Sequence, residues 1–172
     1  MIHGVMNKYL PVIVMLLSIS TYAQTVPSIT VKNINGARSS ENQMIADGII
    51  LANKVITSDC FRLFILNAHF TETNDLTPVQ IYELMKTTPV TVDIEMYKGN
   101  FKANYIDKTI GFENDPFDGV VHMNRHFVKT ATMVADNLIH EAEGHSLGFH
   151  HYEEKSTSVP YGLNLAFEAC NK

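Results

Sequence analysis

Residues 137–151 read Asn137-Leu138-Ile139-His140-Glu141-Ala142-Glu143-Gly144-His145-Ser146-Leu147-Gly148-Phe149-His150-His151, and the spacing within this stretch decides what the chain can be. The second half, His145-x-x-Gly148-x-x-His151, is the tail of the zinc motif H-E-x-x-H-x-x-G-x-x-H. In that motif two imidazoles lie one helical turn apart, a glycine ends the helix, and a third imidazole closes the site. The glycine lets the chain swing back toward the metal, through positive φ. Three neutral nitrogen ligands leave a fourth zinc position for water, as catalytic sites do.

The first half is one residue too long, because His140-Glu141 precede His145 with the spacing H-E-x-x-x-H. At about 100° per residue, positions i and i+4 of an α-helix lie roughly 40° apart, whereas i and i+5 lie roughly 140° apart. Two ligand sets follow. A π-bulge between Glu141 and Gly144 absorbs the extra residue and gives His140, His145 and His151 as ligands, with Glu141 as base. A regular helix instead places Glu141 one turn from His145 and gives Glu141, His145 and His151, since zinc also accepts carboxylate oxygen. The first set is preferred, because the second leaves no glutamate beside the first ligand. Gly144 also stands where a flexible residue eases a bulge. The hexapeptide His-Glu-Ala-Glu-Gly-His, residues 140–145, resembles the His-Glu-x-x-Gly-His motif of the dipeptidyl peptidase III family, in which both histidines bind zinc.

The chain has 172 residues, enough for one domain with a sizeable core. Lys8, the apolar run Leu10 to Ile19 and the small residues of Thr21-Tyr22-Ala23 read as a secretory signal peptide over 1–23, cleaved after Ala23. A single domain is expected over 24–172, in a secreted or periplasmic protein. A formal charge of −5 gives no electrostatic basis for nucleic acid or an anionic membrane. No membrane span is expected, and a monomer is. Export places Cys60 and Cys170 in an oxidising compartment, where a disulfide is expected; the alternative is two buried thiols.

A strand is expected over 28–34, and Ser39-Ser40-Glu41 opens a helix carrying Met44, Ile45, Ile49, Val55 and Ile56. Ser58-Asp59 opens a second, whose Phe61, Phe64, Ile65 and Leu66 are expected in the core, and Thr77-Pro78 caps a third. Val90 to Tyr97 alternates as a strand, followed by a Lys98-Gly99-Asn100 turn. Shorter strands are expected at Ile110 to Phe112 and Val120 to Asn124, around an Asn114-Asp115-Pro116 turn. Thr130 caps the long metal-bearing helix, with Val134, Leu138 and Ala142 inward. The plan is α+β, with an early helical layer, a small mixed sheet and then the active-site helix.

In that order, the strand ending Met-Asn-Arg-x-Phe, then Asn-Leu-x-His-Glu and His-x-Leu-Gly-Phe-x-His, resembles the small secreted metzincin-type zinc metallopeptidases across roughly residues 45–172. The resemblance implies a zincin/metzincin-like fold, a Zn2+ cofactor, and a peptide or protein substrate. It also implies amide hydrolysis in which zinc-activated water gives its proton to Glu141. Metzincins carry a methionine turn under the metal, but no methionine follows Met133 here. Thr157-Ser158-Val159-Pro160-Tyr161 overlays that turn with Val159 at the methionine position and Tyr161 placed to bond an oxyanion, or to serve as a core tyrosine. Asp136 is a candidate to orient a ligand histidine. His122, His126 and His150 are expected in solvated positions, His69 in a solvated or a core one, and Glu143 is expected to face solvent. Two other functions stay open: an inactive secreted zinc-binding or protein-interaction module on the same fold, and an extracellular metal scavenger with more than one metal site.

Overall fold

The computed structural model describes residues 27–106, 110–112, 118–151 and 157–172; the leader read over 1–23 and the turn expected at Asn114-Asp115-Pro116 lie outside the described residues. The elements run β1 (Ile29–Asn35), α1 (Ser39–Ile56), α2 (Asp59–Asn67), α3 (Pro78–Thr87), β2 (Val90–Tyr97), β3 (Gly111–Phe112), β4 (Val120–Asn124), α4 (Ala131–Leu138) and α5 (Val159–Cys170). Two π-helical segments complete them: Lys102–Ile106 after β2, and Ile139–His145 continuing α4 without a break. The architecture is α+β around a small mixed sheet.

Helix starts follow from side chains that satisfy the first orphan N–H groups. Ser58 Oγ accepts from the Phe61 N–H at 3.2 Å, and Thr130 Oγ from that of Met133 at 3.2 Å. Thr77 accepts from Gln80 N–H at 3.3 Å while the Gln80 side chain accepts from Thr77 N–H at 2.9 Å, a reciprocal pair with Pro78 at the first helical position.

The sheet order is β1-β2-β4-β3, with β1, β2 and β4 parallel and β3 antiparallel at the edge. The alternation of β2 sends Val90, Val92, Ile94 and Met96 into the core, where Val121 and Met123 of β4 join them. The core continues through Phe61, Ile65, Ile81, Val134, Leu138, Phe149 and Phe167, all fully enclosed. Phe61 and Ile65 therefore serve packing. Helices α1 and α4 approach closely because Gly48 has no side chain: a Cβ there would fall 2.5 Å from that of Val134.

Beyond Tyr97 the chain makes the π-turn Lys102–Ile106, which the sequence reading did not anticipate. It is held by buried Asn124, which donates to Asn104 Oδ1 at 2.8 Å, and by Asn104, which donates to the Gly99 carbonyl at 2.8 Å. The next residue, Arg125, donates to the carbonyls of Gly36 (2.5 Å) and Met96 (3.3 Å), tying the end of β4 to the β1–α1 turn. The Asn-Arg pair is thus structural.

Helix α5 was also unanticipated. It is fastened by the Cys60–Cys170 disulfide to the start of α2. Among the described residues no helix is long and apolar enough to cross a membrane. The disulfide closes a loop of 110 residues. Reducing it, or Cys60→Ser, should lower unfolding free energy by about 4–5 kcal/mol on the chain-entropy argument, measured by denaturant titration with and without reductant. Two alkylatable thiols in native protein produced in an oxidising compartment would contradict the pairing.

Candidate metal centre

The π-helical segment Ile139–His145 resolves the spacing of the motif. A π-helix bonds residue i to residue i+5 and winds more residues into each turn than an α-helix, so residue i+5 comes to the same side as residue i. His145 therefore stands edge to face with His140, ring centroids 5.3 Å apart, and both side chains line one cavity. This is not the regular helix that the Glu141, His145, His151 set requires.

The chain then turns at Gly148, which adopts φ +81°, the left-handed region a glycine enters without penalty. Phe149 plunges into the core just past the turn and fixes the exit direction. The Asn74 amide donates to the Gly148 carbonyl at 2.9 Å, from a loop that itself holds Glu72, Asn74 and Asp75 at positive φ. His151 is thereby brought back over the helix.

Three imidazoles now meet. Their ligand atoms all lie within 4.8 Å of one another, and this is the one such group of three or more metal-ligating side chains found among the described residues. His140 Nε2 lies 3.3 Å from His151 Nε2. Two nitrogens on a tetrahedral ion, each bonded at about 2.0–2.1 Å, would be about 3.3–3.4 Å apart, so the spacing fits zinc. His145 Nδ1 donates to the Phe149 carbonyl at 2.8 Å, which leaves the lone pair of a neutral ring on Nε2. His140 Nδ1 meets Asn164 Oδ1 at 2.5 Å, with the same consequence. Burial lowers the His140 pKa to about 4, although the Asn164 hydrogen bond favours the charged ring, so the imidazole is neutral and ready to ligate at physiological pH.

The cavity measures about 260 Å³ and is lined by His140, His145, His151, Glu141, Tyr161, Gly111 and Phe112. Glu141 is buried with Oε2 3.8 Å from His145 Nε2. The Tyr161 ring stands 4.8 Å from that of His140 and 4.6 Å from that of His151. Every site residue expected from the sequence is therefore in one cavity, walled on one side by the edge strand β3. Val159, at the methionine position, is fully buried. Tyr161 and Asn164 both come from α5, which approaches because Gly144 is bare: a Cβ there would fall 2.9 Å from that of Pro160.

Asp136 reaches the site indirectly, since Asn164 Nδ2 donates to its Oδ1 at 2.6 Å. Burial pushes the Asp136 carboxyl up to about 6. Asn164 was missed in the sequence because it is 24 residues from His140 and belongs to no motif. Two surface assignments need correction. His122 is largely covered, stacked on Phe112 with centroids 4.4 Å apart and 3.1 Å from Glu95 Oε2. Glu143 is fully buried, within the π-helical segment whose every residue is buried. His126 and His150 are exposed as expected, and His69, for which solvated and core positions were both open, is exposed too.

In comparisons with known proteins, no family model, curated protein or solved structure matches this chain.

Both Glu143 carboxyl oxygens are buried with no hydrogen-bond partner, and burial raises its pKa from 4.5 to about 8. The folded state keeps a proton that the unfolded chain loses near 4.5, so this group's stabilisation is complete below that pH and disappears as pH rises through about 8. Glu143→Gln cannot ionise. In metal-free protein, the wild-type denaturation midpoint should fall relative to that of Glu143→Gln between pH 5 and pH 8 (roughly the window of that linkage); a constant difference would contradict the buried-acid assignment.

Proposed function

We propose that this chain is a secreted zinc metallopeptidase of the zincin/metzincin type, with His140, His145 and His151 as zinc ligands and Glu141 as general base. The observation that carries the reading is the convergence of three imidazole nitrogens in one cavity, His140 and His151 at ligand spacing, with the glutamate following the first histidine in the same cavity. The π-segment supports the all-histidine ligand set, because it supplies the alignment that the inserted residue would otherwise deny. The apolar leader and the Cys60–Cys170 disulfide support export.

When bound, zinc lowers the pKa of water at the site and polarises a scissile carbonyl. Glu141 takes the proton from the attacking water and delivers it to the leaving amine. Its burial keeps bulk water from competing for that transfer. Tyr161, beside two of the ligands, donates a hydrogen bond to the oxyanion as the carbonyl becomes tetrahedral. Peptide or protein is the substrate class that this chemistry serves.

The catalytic claim is tested by chelator-sensitive cleavage of a broad peptide library, with zinc content measured on the same samples. Glu141→Gln should keep zinc and lose at least about a hundredfold in turnover, the ordinary scale for a general base. Unchanged turnover would remove Glu141 from the mechanism. Bound zinc without any wild-type cleavage would favour the inactive zinc-binding module. The ligand set is tested separately by zinc titration: His140→Ala should weaken binding far more than Glu141→Ala, and the reverse order would make the glutamate the ligand.

A further inference from the structure

We propose that Asn164 is the positioning residue for His140: its amide oxygen holds the imidazole as the Nδ1–H form and aims Nε2 at His145 and His151, while Asp136 fixes which way that amide points. The inference rests on the metal-centre reading above and adds residues that no motif marks.

The assignment follows from donor and acceptor chemistry alone. Where Asp136 is ionised its carboxylate accepts hydrogen bonds and cannot donate them, so the Asn164 atom 2.6 Å from its Oδ1 is the amide nitrogen. That orientation leaves the amide oxygen facing His140 Nδ1 at 2.5 Å. An amide oxygen only accepts, so Nδ1 carries the proton. A neutral ring has one N–H, and the lone pair therefore sits on Nε2, the atom 3.3 Å from His151 Nε2. Without the carboxylate, the amide could turn over and present its N–H₂ group to His140. That would favour the opposite tautomer and put a hydrogen where the lone pair should be. Ligand histidines commonly hand their second N–H to a carboxylate or carbonyl. Here His145 uses the Phe149 carbonyl, and His140 uses a carboxylate relayed through an amide, beside a weaker hydrogen bond to the Pro160 backbone.

The relay depends on two helices being in contact. Asp136 lies on α4 and Asn164 on α5, the helix whose Pro160 packs on Gly144. The sequence separation of 28 residues between Asp136 and Asn164 explains why a local reading could not find the pair.

The test uses the full mature protein, zinc as the probe, and two readouts. Zinc affinity is measured by chelator competition, and the His140 tautomer by nitrogen NMR of the metal-free protein. Wild type should show His140 as the Nδ1–H form. Asn164→Leu should lose that preference and weaken zinc about 10–100-fold, the usual scale for a lost outer partner. The swap Asp136→Asn with Asn164→Asp puts the carboxylate directly on His140 and returns an amide donor to it. It should restore both the tautomer and the affinity, and it keeps the test decisive if Asn164→Leu fails to fold. Wild-type affinity with an unchanged tautomer in Asn164→Leu would overturn the proposal, as would an Nε2–H His140 in wild type. Wild-type protein that binds no zinc would instead overturn the metal-centre reading, and the metal-free tautomer would still decide the role of Asn164.

Discussion

The π-helical segment Ile139–His145 holds one residue more than the α-helical motif allows, and the surrounding structure is arranged around that extra residue. In an α-helix His140 and His145 would diverge by roughly 140°, and no placement of His151 could serve both. The wider turn brings them to one side. It also moves Glu143 to the interior, where its carboxyl has no hydrogen-bond partner. A buried polar group without a partner costs on the order of 1–3 kcal/mol. That cost accompanies the geometry of the site, and packing around the segment offsets it.

Much of that packing comes from α5, which forms the second wall of the cavity. Pro160 rests on Gly144, Tyr161 stands against two of the histidines, and Asn164 reaches across to His140. The far end of the same helix is anchored by Cys170 to Cys60. Its near end is fixed at Thr71, whose N–H donates to the Thr157 carbonyl at 2.7 Å. The loop that follows Thr71 also supplies Asn74 to the Gly148 turn. One short loop therefore steadies both the return of His151 and the start of α5. These ties keep the cavity walls in place, which a site with preorganised ligands requires.

The parts legible in the sequence are those with local causes. Alternation marked β2, side-chain caps marked α2, α3 and α4, and the glycine after the motif marked the turn at Gly148. The inserted residue also pointed to a π-bulge by simple rotation. Other parts have causes distributed along the chain. Helix α5 was obscured because Ser158 to Tyr161 was read for its likeness to a turn, although Val159, Leu163, Ala166 and Phe167 recur at helical spacing. Asn164 carries no signature, because its two partners lie 24 and 28 residues away. Nothing local marks Glu143 as buried, because a charged residue type ordinarily faces solvent and its burial comes with the π-helical segment as a whole.

On the reading proposed above, the rotation of this segment builds a three-histidine zinc centre. Zinc K-edge X-ray absorption on the purified protein addresses it most directly, because scattering from imidazole rings is distinguishable from that of carboxylate. The predicted result is one zinc per chain with three imidazole nitrogens and one oxygen, all at about 2.0–2.1 Å. A spectrum with only two imidazoles and a carboxylate, or protein that retains no zinc, would contradict it.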